Sequence, residues 1–132
     1  MSAHMLQIID PEFAKTQYTL AQQGMMSSFF GFGYAREWTS VCTGVADIDS
    51  GPIIPLLGAS TASSGLAVLG AAAFDDEASL KALLVSLQMI GFPKYVKDQL
   101  HYLASNPVGD AVLLYGLVEG PLWHLVWEKT HG

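Results

Sequence analysis

At 132 residues the chain has the length of a single domain, 51% apolar and only 14% charged against a usual value of about 25%. Twelve acidic and six basic residues leave a net charge of −6, which argues against nucleic acid and anionic membranes, because phosphate binding draws on clustered cations and no two of these six are adjacent. So few charges leave apolar or small neutral side chains facing outward, and the common remedy is a protein partner, often a second copy.

In chain order, Met1-Ser2-Ala3-His4 reads as a cloning remnant, so His4 is expected to carry no functional weight, and no cationic-then-apolar leader opens the chain. Asp10-Pro11-Glu12 combines a capping acceptor, a proline suited to the first turn and an acid suited to the positive helix end, which predicts a helix over residues 11–23. Gly24 is its stop. Residues 25–38 turn aromatic, with Phe29, Phe30, Phe32, Tyr34 and Trp38 interleaved with Gly31 and Gly33, a pattern expected of a tight passage through the core. Residues 39–48 alternate as a strand, closed by turn residues 47–52. That strand holds Cys42, the one cysteine, which excludes an internal disulfide, suits a reducing compartment and places the chain in the cytoplasm.

Residues 50–74 lack charge and are numerous enough to cross a bilayer. Prolines, glycines and hydroxyls dilute the run, however, and no basic cluster flanks it. It is expected as a loop around residues 59–64 followed by a strand over 66–74, buried on both faces. Asp75-Asp76-Glu77 caps the clearest helix, with Leu80, Leu83, Leu84, Leu87 and Ile90 as its core stripe and Gly91 as its end. Phe92-Pro93 then starts a third helix to about Ser105, stopped by Asn106-Pro107. Residues 111–119 and 122–129 read as strands of a closing hairpin about Gly120-Pro121. The fold expected is therefore α+β in a single domain: about three helices packed on a mostly antiparallel sheet of about four strands, ending in a β-hairpin.

Chemistry-bearing motifs are sparse. His101 and His124 stand alone, without metal-ligand spacing, and Asp47 with Asp49 fits a turn better than a cation site. Gly31-Phe32-Gly33 and the loop from Gly58 to Gly65 complete no phosphate-binding fingerprint. No metal and no cofactor is expected. The aromatics are more suggestive, because those of residues 29–38 could join Tyr115, Trp123 and Trp127 around a pocket for a flat or hydrophobic small molecule. Arg36, Glu37 and Trp38, with Tyr115, Trp123, His124 and Trp127, are the candidate binding residues. No catalytic spacing emerges. The functional expectation is a small acidic interaction module, either a self-associating assembly subunit or an inhibitor- or immunity-type protein that caps a partner. Its alternative is a small cofactor-free ligand-binding protein or enzyme using the aromatic pocket.

Overall fold

A computed structural model describes residues 2–39, 53–54, 58–103, 105 and 107–131, and for residues 2, 53–54, 119–124, 126–127 and 130–131 it describes the backbone alone. Cys42, Asp47, Asp49 and all but the first residue of the strand expected over 39–48 lie outside the described residues. A one-turn helix, α1 (Ser2–Leu6), leads into α2 (Pro11–Met25). The expected cap is in place, since the Asp10 carboxylate accepts a hydrogen bond from the Phe13 N–H at 3.0 Å and Pro11 occupies the first turn. The helix runs one residue beyond Gly24 before Met26 turns extended.

The aromatic stretch is an antiparallel hairpin, β1 (Met26–Phe29) and β2 (Phe32–Ala35). Phe30 and Gly31 form its two-residue turn with φ of 48° and 84°, the left-handed pair that a tight hairpin turn demands. Gly33 lies so close to the next helix layer that a Cβ there would meet the Ala82 and Leu83 backbone at 2.9 Å. Glycine between aromatics thus serves a close approach. A short pair, β3 (Ile53–Ile54) and β4 (Ala59–Ser60), sits beside it, with Ala59 bridging to Arg36.

Three expectations about the apolar stretches are corrected. The strand expected over 66–74 is helix α3 (Thr61–Ala73), because Ser60 caps it by accepting from the Ser63 N–H at 3.2 Å and alanine-rich sequence then favours helix. The loop expected around 59–64 is instead β4 and the first turn of α3. After α4 (Glu77–Ile90), which matches expectation, the third helix is replaced by a hairpin, β5 (Pro93–Val96) and β6 (Gln99–Tyr102). Lys97 and Asp98 at φ 50° and 64° make its turn, and Tyr95 and Val96 suit a strand. Finally, the closing hairpin is one helix, α5 (Pro107–His131), which runs through Gly120 and Pro121. An apolar stretch without clear alternation packs as well in a helix, and Pro121 removes only one N–H, that facing the Leu117 carbonyl.

The molecule is α+β, but its strands form three separate antiparallel pairs rather than one sheet, and five helices are present among the described residues. α3 is the central element. It packs against α5 and α4, and β2 lies on α4. Val68, Ala71, Leu83 and Leu113 form the core cluster, with Met26, Leu80, Leu87 and Tyr102 packed around it. Gly116 allows α5 to approach α3, since a Cβ there would stand 3.1 Å from the Leu69 Cα. Helix–helix contact through small residues therefore builds the interior, and the hairpins decorate it.

Candidate functional site

Strand alternation splits the β1–β2 hairpin into two faces. Paired residues share a face, so Met26, Ser28, Gly33 and Ala35 turn toward α4, while Ser27, Phe29, Phe32 and Tyr34 turn away. Phe29 is 65% exposed and Phe30 86%, their rings meeting edge-on at 4.6 Å. These two aromatics lie on the surface. Arg36 continues the outward row at the end of β2, half-buried, with its Nε shielded from solvent and without an acceptor among the described residues. Glu37 is half-buried and Trp38 is 47% exposed.

The other candidate residues belong to α5. Tyr115 meets the ring of His4 edge-on at 6.3 Å, and His4 is 2% exposed. His4 is thus built into the packing of α1 against the rest of the molecule, which its place in the sequence does not suggest. Trp123, His124 and Trp127 lie on the second half of the same helix, and for these three only the backbone is described. The structure brings Arg36, Glu37 and Trp38 together because they are neighbours in the chain. Tyr115 stands on a different element, the helix that packs on α3. A surface depression of about 330 Å³ lies along α2, lined by Glu12, Lys15, Thr16, Thr19 and Leu20, and none of the aromatic candidates contributes to it.

A polar constellation that the sequence does not announce joins α2 to α4. The Tyr18 hydroxyl donates to Asp76 Oδ2 at 2.8 Å, the Gln22 amide donates to the same oxygen, and it also donates to Ser79 Oγ at 3.2 Å. The Ser79 N–H donates to Asp76 Oδ1 at 3.0 Å. Tyr18 further stacks on Phe74 at 4.5 Å and nearly parallel, its ring over Gly70. Burial alone would push the Asp76 carboxyl up, but the hydrogen bonds from Ser79, Tyr18 and Gln22 outweigh it and hold the group below its ordinary value. Burial and then the Asp76 hydrogen bond push the Tyr18 phenol well above its ordinary range. Such a phenol stays a neutral donor. The carboxylate is fully engaged by fixed donors, so the cluster fastens two helices and offers no free base or nucleophile.

No protein family, curated protein or solved structure matches the chain. Among the described residues no group of three or more His, Cys, Asp and Glu side chains could hold a metal ion, and no helix is long and apolar enough to cross a membrane. His101, expected on a helix, lies on β6 instead, exposed and 4.0 Å from the Asp110 carboxylate. What the described surface offers in quantity is apolar side chain. Ile9 is 82% exposed and Tyr95 75%, and α5 leaves Leu114, Leu117, Val118 and Leu125 in water.

Proposed function

We propose that the chain is a small acidic interaction module that associates with itself or caps a partner protein through apolar surface. The observation carrying this reading is the imbalance between core and surface. Among the described residues only nine hydrophobic side chains are buried, five of them alanines, while large apolar side chains stand exposed on both hairpins and on α5. Single exposed apolar residues are ordinary, but runs of them mark surfaces that another molecule covers. The net charge of −6 suits a basic surface on a partner and speeds encounter with it. One cysteine in the chain fits action in a reducing compartment such as the cytoplasm.

Light scattering on the purified chain at micromolar concentration, combined with binding of an apolar fluorescent dye, tests the reading. Expected is a mass above 14.2 kDa, or a folded monomer that binds dye. A folded monomer that binds none would overturn it.

A second reading, recognition of a flat hydrophobic ligand, draws on the outward row of Phe29, Phe32 and Tyr34 that ends at Arg36. Thermal-shift screening of polycyclic compounds checks it. Stabilisation that disappears in Phe32→Ser is expected, and a complete absence of stabilising compounds counts against it.

A further inference from the structure

We infer that the β5–β6 hairpin is a dimerisation arm, which reaches onto the outer face of α5 in a second copy of this chain and receives that copy's arm in return. The inference rests on the self-association reading above and names its surfaces. Every residue from Phe92 to His101 is exposed, and only Tyr102, at the foot of the hairpin beside Gly91, packs on the core. A two-stranded hairpin without a covered face is marginal in water. This one also holds Phe92, Lys97 and Asp98 at φ of 49°, 50° and 64°, the left-handed region that a bulky side chain such as that of Phe92 rarely adopts. Among the described residues its own fold meets it at the foot and at His101, 4.0 Å from Asp110, and leaves the apolar side chains of Tyr95, Val96 and Leu100 exposed, so their supporting surface comes from another molecule.

Charge selects the occupant. Residues 89–109 contain Lys94, Lys97 and Asp98 as their only charged side chains, a net of +1, which leaves −7 on the rest of a chain whose total is −6. Two copies of an acidic chain repel at long range, and a basic segment that meets an acidic surface offsets this. α5 provides one: its charged residues are three acids and one lysine. Leu114, Val118 and Leu125, at i, i+4 and i+11, fall on a single exposed stripe flanked by Asp110 and Glu128. Tyr95, Val96 and Leu100 on the arm and Leu114, Val118 and Leu125 on the stripe are exposed large apolar side chains, the kind of surface from which each partner builds its share of about 800 Å² in a stable interface.

Light scattering across micromolar concentrations compares the wild-type chain with Tyr95→Ser/Leu100→Ser on the arm and Leu114→Lys on α5. The wild type is expected to dimerise, and each variant to dissociate at least about tenfold more readily with unchanged far-UV circular dichroism. Lys94→Glu/Lys97→Glu, altered only at exposed side chains, weakens the dimer as well. Mixing the arm variant with the α5 variant restores dimers, since one intact arm then meets one intact face, a complementation that general destabilisation cannot produce. A wild-type dimer indifferent to these substitutions overturns the arm and leaves self-association standing. A monomer that binds apolar dye overturns the arm but not the interaction reading, and a monomer that binds none overturns both.

Discussion

Asp76 serves at once as the N-cap of α4 and as acceptor for two side chains of α2, so a single carboxylate ties a helix start to its neighbour. Replacing it with alanine removes the cap and strands the Tyr18 hydroxyl, and the expected loss is about 1–3 kcal/mol in a urea titration. Tyr18→Phe keeps the ring on Phe74 and loses only the hydrogen bond, with an expected cost of about 1 kcal/mol. The folded carboxyl is held below its ordinary value, so its contribution is complete above the unfolded value of about 4 and fades as pH falls through the folded one. Thermal melts of the wild type should therefore lose stability faster than those of Asp76→Asn as pH drops below about 4. Equal slopes would show that the clamp contributes nothing electrostatic. Backbone proximity sets another sensitive residue. Gly33→Ala pushes a methyl group into Ala82 and Leu83, and its expected cost is about 1–3 kcal/mol on the same urea scale.

The two hairpins and the last helix make distinct statements at the level of elements. Phe30 occupies a turn position where glycine or asparagine is at ease, and its ring is almost fully in water. Phe30→Gly is thus expected to raise stability by about 1 kcal/mol in thermal melts, since it relieves a left-handed backbone without removing core contacts. A lower melting temperature would mean that the exposed ring has a structural task. Pro121 offers an independent check on α5. Within a helix it costs about 3 kcal/mol relative to alanine, so Pro121→Ala should strengthen the 222 nm circular dichroism band and stabilise the chain. In a strand–turn–strand arrangement the same change would weaken the turn and leave that band unchanged.

Across the whole molecule, the small core and the exposed apolar surface make stability depend on concentration. If association involves the folded chain only, dilution should lower the melting temperature, a shift that calorimetry at two concentrations reads directly. Legibility from sequence follows the same division between local and collective effects. α2 and α4 were readable because Asp10-Pro11-Glu12 and Asp75-Asp76-Glu77 announce their starts and leucines or glycines bound their faces. Arg36, Glu37 and Trp38 were recognisable as one group because they are consecutive in the chain. The Tyr18–Asp76 clamp was not readable, since its partners lie 58 positions apart and the capping role of Asp76 says nothing of a second helix. α3, the β5–β6 hairpin and α5 were misassigned for a different reason. Their segments mix small, branched and aromatic residues, whose local preferences differ by less than the burial that decides between packing modes.

Composition and local capping chemistry by themselves determined that the chain is acidic, short of charge and compelled to show apolar surface, and that helices begin at Pro11 and Glu77. These properties belong to single residues and their nearest neighbours, so no folding is needed to read them. Tertiary structure alone decided that residues 61–73 of the uncharged middle become a packed helix and residues 107–131 lie alongside it as another, because Gly116 fits against Leu69 and Leu113 joins Val68 and Ala71 in the core. That choice is made between distant segments, by close packing, and it is what leaves the second hairpin standing out from the body of the protein.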